Sequence, residues 1–341
     1  MRQRPPTARG RAIVGRATGL AAIGIVLALL VTACSGSPTE TKTPTTIQNE
    51  SNKAVFPGGL YVQEQSLAAR AATSLEAAGS TAEAKAAREI AATPVAIWLG
   101  DQYSPTEVAQ VIRLNLKAAK KQGKTPVFVT YAIPHRDCGD YSAGGFKASE
   151  YPAWTKAVAA ALKGHHAVVI VEPDALAMLS SCGQEANTRI PLIKNEVDEL
   201  AAAGVPAYLD AGNSHWVAPD VIAKRLREAG IAEARGFFTN VASFYPVNEE
   251  RAFAEKVSKL TGDSHYVIDV SRNGQGWKGT WCNPSGTGLG QDPHVTLGTT
   301  GLDALLWIKS PGISDGTCNG GPKAGVWYAS YAQQLVKLRR Q

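Results

Sequence analysis

Short apolar runs recur along this chain, and each stops at polar residues. Val95-Ala96-Ile97-Trp98-Leu99 ends at Gly100-Asp101, and Pro126 to Ile133 ends at Pro134-His135-Arg136-Asp137. Ala167 to Val171 runs into Glu172-Pro173-Asp174. Ala207-Tyr208-Leu209 stops at Asp210, Gly236-Phe237-Phe238 at Thr239-Asn240, Tyr266-Val267-Ile268 at Asp269, and Leu305 to Ile308 at Lys309. Runs this short, several rich in β-branched residues, suit strands covered on both faces. Between them lie Ala-, Leu-, Lys- and Glu-rich stretches with helical spacing, such as Thr106 to Lys121, Tyr151 to Leu162, Ile190 to Ala203 and Asn248 to Leu260. Ser104-Pro105 supplies a start signal and Gly204 a stop. Strand alternating with helix predicts a parallel sheet with right-handed crossovers. Seven such units suit a barrel. An open doubly wound sheet is the competitor, but no Gly-x-Gly-x-x-Gly follows the first strand.

The amino-terminal stretch has another pattern. Arg2, Arg4, Arg9, Arg11 and Arg16 precede an apolar run from Thr18 to Val31, and Val31-Thr32-Ala33 leads to Cys34. Residues 1–34 are expected to be a lipoprotein-type signal with Cys34 as the lipidated amino terminus; a plain secretory signal is the simpler alternative. Residues 35–54 are Ser-, Thr- and Pro-rich and are expected to form a flexible tether. Residues 55–341 are expected to form one catalytic domain.

The formal charge of +6 changes meaning once this segment is set apart. Its five arginines and no acids leave about +1 for the remainder, so no basic face points to nucleic acid. Four cysteines remain after Cys34: Cys138, Cys182, Cys282 and Cys318. An even count in an exported chain favours two disulfides. The spacings do not suit zinc, and no cofactor is expected. In parallel α/β folds, chemistry sits at the carboxyl ends of the strands. Here Asp, Asn, Arg, Lys and Trp converge on that rim. Such a palette suits sugar: carboxylates for proton transfer, amides and charges for hydroxyls, indoles for the apolar faces of pyranose rings.

Two long motifs carry a resemblance. One is Val129-Thr130-Tyr131-Ala132-Ile133-Pro134-His135-Arg136-Asp137-Cys138, with Ser142-Ala143-Gly144-Gly145 beyond it. The other is Val169-Ile170-Val171-Glu172-Pro173-Asp174-Ala175-Leu176-Ala177. Leu209-Asp210-Ala211-Gly212, Ser271-Arg272-Asn273-Gly274, Trp281-Cys282-Asn283-Pro284 and Trp307-Ile308-Lys309-Ser310-Pro311-Gly312 with Asp315-Gly316 follow in order. Through these residues the chain resembles glycoside hydrolase family 6, the cellulases of the endoglucanase and cellobiohydrolase II type. The resemblance implies a distorted seven-stranded parallel β/α barrel, TIM-like, with its cleft at the carboxyl ends of the strands. It also implies inverting hydrolysis of β-1,4-glucan, and the pairings Cys138–Cys182 and Cys282–Cys318.

The same resemblance assigns roles. Asp174 is the expected general acid, Asp137 the second essential carboxylate and Asp315 the candidate base, with water relayed to Asp137 as the competing route. A helix-capping role for Asp174 and an Arg136–Asp137 pair are the simpler readings of those acids. Tyr131 is expected under the distorted sugar. Asp210, Asn213, Asn240 and Lys309 are expected substrate contacts, and Trp98, Trp216 and Trp281 are candidate stacking platforms. Glu172 is expected to support the loop. Three departures put sugar contacts in question: Ala242-Ser243-Phe244-Tyr245 where the family has Ser-Asn-Tyr, Ile313 in place of a glutamate, and Ala132 beside Tyr131. Short rim segments point to an open cleft and internal cleavage. The rival reading is a surface lipoprotein that binds β-glucan oligosaccharides without turnover. A monomer, held to the membrane only through lipid, is expected.

Overall fold

The computed structural model describes residues 47–297 and 300–340. The signal segment, Cys34 and the tether up to residue 46 lie outside the described residues. A short helix α1 (Asn52–Val55) leads to α2 (Leu67–Ala77) and α3 (Thr81–Ala91). The repeating units follow: β1 (Ile97–Gly100), α4 (Pro105–Gln122), β2 (Val127–Tyr131), α5 (Tyr151–Leu162), β3 (Val168–Val171) and α6 (Ala186–Ala202). Then come β4 (Ala207–Asp210), α7 (Pro219–Glu228), β5 (Gly236–Thr239), α8 (Val247–Leu260) and β6 (His265–Asp269). The domain finishes with β7 (His294–Val295), β8 (Leu302–Leu306) and α9 (Ala329–Lys337).

All seven expected strands are present. β1 to β6 and β8 run parallel in the order β1-β2-β3-β4-β5-β6-β8, and the two-residue β7 pairs antiparallel at the edge of β8. The last parallel strand begins at Leu302, three residues before the apolar run from Leu305 suggests. Leu302-Asp303-Ala304 reads as a broken pattern in sequence because Asp303 is a buried charge. The curled sheet brings its ends together without a regular ladder: Ala96 N donates to Trp307 O at 2.9 Å, and Trp98 Nε1 to Ile308 O at 2.8 Å.

Side-chain alternation divides the core in two. Val168 and Ile170 point into the barrel with Val129, Tyr208, Phe238, Val267 and Leu306. Val169 and Val171 point outward against the helices, in the larger cluster that holds Ile112, Leu162, Val197, Leu226 and Val257. The helix starts follow their sequence signals. Ser104 and Glu107 form a reciprocal capping box at α4, with Pro105 in the first turn and Gly123 left-handed at its end.

The amino-terminal end of the barrel is plugged by the chain that enters it. Val55 and Phe56 join the interior cluster, and Ile47 is 1% exposed. Arg235, just before β5, grips Asp303 with two bonds of 2.8 and 2.9 Å and donates to the carbonyls of Ile47 and Gln48. Tyr208 Oη and His265 Nδ1 complete the shell around Asp303 at 2.6 and 2.9 Å. The packed chain therefore includes Ile47 to Ala54, residues expected to belong to the tether. Within that stretch Ile47 and Asn52 are buried, while the plug itself, Val55 and Phe56, falls at the start of the expected domain. Replacing Phe56 by Ala is expected to cost about 3–5 kcal/mol in urea denaturation; a loss below about 1 kcal/mol would mean the plug lies outside the cooperative unit.

Candidate active site

The carboxyl ends of the strands carry two kinds of acid. The first kind is buried and spent on backbone amides. Glu172, just past β3, accepts from Ala132 N at 2.9 Å and from Ile133 N at 3.1 Å, both in the loop after β2. Asp210, ending β4, accepts from Leu176 N at 3.0 Å and Ala177 N at 2.8 Å in the loop after β3, and from Gly212 N at 2.9 Å. Asp269, ending β6, accepts from Ser271 N at 2.9 Å, from Lys309 N at 3.0 Å and from Ala242 N at 3.4 Å. Each of these acids ties one strand's loop to a neighbour's.

The second kind faces the cleft. Asp174 is half-buried and follows Glu172-Pro173, with φ of 45° at Glu172 and 72° at Asp174. Left-handed backbone at non-glycine residues is costly and persists only where the surroundings impose it. Here Asp210 fixes the amides of Leu176 and Ala177, and Met178 N donates to Asp174 O at 2.9 Å. The Asp174 carboxyl is pushed well above the usual carboxylate range by desolvation. The charges of Asp210, Asp137 and Asp315 act the same way, and Lys309 opposes them. Asp137, at φ 58°, accepts from Ser142 N at 2.7 Å. Burial and the charge of Asp140 raise its pKa, against Ser142 and Arg136. Both shifts are upward and that of Asp174 is the stronger, which favours its protonated form.

Asp315 is of another character. It is 5% exposed, lies 2.7 Å from Arg272 and 2.8 Å from Lys309, and accepts from Asn283 N at 3.0 Å. Despite desolvation, the two cations lower its pKa to about 2. A carboxylate held so firmly ionised is a poor proton acceptor near neutral pH.

Several expected sugar contacts turn out to be internal supports. Asp210 is 2% exposed with both oxygens engaged as above. Asn213 donates to Ser243 Oγ at 3.0 Å and accepts from His215 N at 3.0 Å. Asn240 is 1% exposed, at φ 68°, and donates to Tyr245 O and Asp269 O. The Lys309 ammonium is engaged by Asp315. Asp210, Asn213 and Asn240 thus serve the scaffold, and Lys309 is paired with Asp315: a polar residue at a strand end satisfies loop amides and carbonyls before it reaches solvent. The simpler reading of Arg136 is also corrected, because it bonds Asp101 at 2.8 Å, Tyr131 O at 2.6 Å and Ser142 O at 2.9 Å and not Asp137.

The aromatic residues divide similarly. Trp216 and Trp281 are 38% and 42% exposed, and Trp281 leans on Tyr141 with ring centroids 5.9 Å apart. Trp216 lies over Gly212, at φ 67°, where an added Cβ would meet Ala177 at 2.9 Å. Trp98 is half-buried, its indole edge meeting Tyr131 at 5.0 Å. The Tyr131 hydroxyl has its pKa raised by burial and by Asp174 and Asp137, which places the ring beside both acids. Cys138–Cys182 and Cys282–Cys318 are bonded as the resemblance implies. Among the described residues no group of His, Cys, Asp and Glu could hold a metal.

The departures have local explanations. Phe244 is buried over the Arg272 guanidinium at 4.6 Å, and Ala242 O accepts from Arg272 Nη2. Ala132 packs in the helix-side core, its amide donating to Glu172 and its carbonyl accepting from Phe146 N at 2.9 Å. Ile313 pairs its backbone with Trp327, and Arg272 and Lys309 both pair with Asp315. Arg272 and Asp101 were not singled out from sequence, although Arg272 lies inside a quoted motif. Gly312-Ile313-Ser314-Asp315-Gly316 also fits the Gly-x-Ser-x-Gly pattern of a nucleophile elbow. Ser314 cannot serve as one. It is 1% exposed, its hydroxyl contacts Pro322 O at 2.8 Å, and no helix follows until Ala329.

The family model for glycosyl hydrolases family 6 matches residues 58–339. The chain belongs to this family. Endoglucanase A of Cellulomonas fimi is 40% identical over 252 residues, 74% of this chain and 56% of that protein. Endoglucanase 1 of Streptomyces halstedii is 34% identical, with 91% and 95% covered. The chain spans 56%, 67% and 55% of three such relatives. The endoglucanase Cel6 of Mycobacterium tuberculosis, solved with methyl-cellobiosyl-4-deoxy-4-thio-β-D-cellobioside, is 42% identical. It superposes with a TM-score of 0.76 over 82% of this chain and 96% of its own. The cellobiohydrolase Cel6A core of Chaetomium thermophilum, 24% identical, shares the fold at a TM-score of 0.72.

Replacing Asp315 by Asn leaves the fully buried Arg272 without its counter-ion. The expected cost is about 3–5 kcal/mol at pH 7 in urea denaturation. Asp315 ionises at about 2 in the fold and near 4 when unfolded, so its stabilisation is present above about pH 4 and lost as pH falls toward 2. The Asn variant should show a shallower loss of stability across that window than the native protein does.

Proposed function

We propose that this protein is an inverting endo-β-1,4-glucanase. The observation that carries the reading is the unequal treatment of three carboxyls at one rim. Asp174 is pushed most strongly toward its protonated form, Asp137 less so, and Asp315 is locked as an anion by Arg272 and Lys309. In the proposed reaction, Asp174 donates its proton to the glycosidic oxygen as the bond to the anomeric carbon breaks. Water enters from the opposite face, and its proton passes to Asp137, directly or through a second water. Asp315 stays ionised beside the cationic transition state. The water oxygen bonds to the anomeric carbon, Asp137 releases its proton to solvent, and Asp174 takes one back.

The names of the 34–42% identical relatives support the endoglucanase reading. The exposed indoles of Trp216 and Trp281 suit an open cleft that stacks pyranose rings. Export through residues 1–34 and lipidation at Cys34 belong to the same proposal. Its support is the sequence pattern of five arginines, an apolar run from Thr18 to Val31, and small residues before Cys34.

Proton NMR during digestion of a soluble β-1,4-glucan should show α-anomer first; initial β-anomer would overturn inversion. Asp174→Ala should lower kcat on natural glucan by about 10²–10⁴-fold. It should still bind oligosaccharide in calorimetry. A native protein that binds without turnover would favour the non-catalytic lipoprotein instead. Native activity should fall as pH rises through the elevated pKa of Asp174, because the acid must be protonated to act.

A further inference from the structure

Behind the acid loop lies a buried cluster that the proposed reaction does not use. The Tyr151 hydroxyl, on the first residue of α5, sits 2.9 Å from Glu172 Oε1 and also contacts Glu196 Oε2 on α6. Tyr151 and Glu172 are fully buried, and Glu196 is 1% exposed. A phenol has one proton and faces two carboxyls. Glu172 already accepts the amides of Ala132 and Ile133, so it is the natural seat of the negative charge. The Tyr151 proton then goes to Glu172, and its oxygen can only accept from Glu196. Glu196 must therefore bring a proton of its own. Its other oxygen, Oε1, is buried without a hydrogen-bond partner, which a neutral carboxyl tolerates far better than an anion.

We propose that Glu196 is a neutral acid that donates through Tyr151 to Glu172, and that this chain positions the loops carrying Asp137 and Asp174. Glu172 is the join: it holds the amides that follow Tyr131 and lies two residues before Asp174. Glu196 is a positioning residue and touches no substrate.

The groups facing the cluster are few. Glu196 meets Glu172, Tyr151 and Thr130 of β2, while Arg136 and Arg189 interact with Glu172 only through their charge. Burial, then the charge of Glu172, raises the Glu196 pKa to about 8, against Tyr151 and Thr130. In the unfolded chain it ionises near 4.3. The stability it confers is full below that pH and is lost as pH rises toward 8.

Melting temperatures of the native protein, Glu196→Gln and Glu196→Leu, measured from pH 5 to 9, test this. Neither variant has a proton to lose. The Tm of each variant minus that of the native protein should grow between pH 5 and 8 and level off above. Parallel curves for a variant that folds would overturn the neutral-acid assignment. Tyr151→Phe tests positioning: kcat should fall about tenfold or more, with KM changed by no more than about twofold. An unchanged kcat would overturn the positioning role. The thermal measurement stands independently of the acid role of Asp174; only the kinetic one rests on the proposed function.

Discussion

Buried carboxylates that accept loop amides hold this rim together. Glu172, Asp210 and Asp269 each close a strand and reach sideways to the loop of a neighbour. The rim loops run through left-handed residues such as Asp137, Asp174 and Ala242, which they would not adopt unaided. Charge-assisted bonds to amides are strong and directional, and inside the protein they escape competition from water. The strain at Asp174 is thus offset by Asp210, a residue on the next strand.

That arrangement explains how one rim holds carboxyls in different protonation states. Anchoring acids are ringed by amides. Asp315 is ringed by cations and stays ionised. Asp174 is desolvated and lies among other acids whose charges outweigh that of Lys309, so its pKa is raised. Proximity of like charges and scarcity of donors are sufficient for this division.

The residues that depart from the family pattern fall mostly on supports. Phe244 covers Arg272, and Ile313 leaves two cations for one carboxylate. The change shifts charge balance around Asp315 while leaving Asp174 and Asp137 in place. The Phe56 plug and the Arg235–Asp303 pair close the far end of the barrel, so the cleft end carries the strain and the opposite end carries the seal.

Seven strands, their alternation with helices, both disulfide pairings and the carboxylates of the rim were legible in the chain. Continuous apolar runs, helix caps and turn signals encode the strands and helices, and the family resemblance implied the pairings and the rim acids. The burial of Ile47 was not legible, because a lone apolar residue in a polar stretch carries no periodic signal. Nor were the fates of Asp210, Asn213, Asn240 and Lys309. A polar residue at a strand end looks the same whether it meets a sugar or a neighbour's amide, and only the lateral packing of β3 on β4 and of β5 on β6 decides which. The sequence by itself determined which acids stand at the rim. The tertiary structure decided how strongly Asp174 holds its proton, because that depends on Asp210, Asp137, Lys309 and Asp315, which are 36 to 141 residues away in the chain.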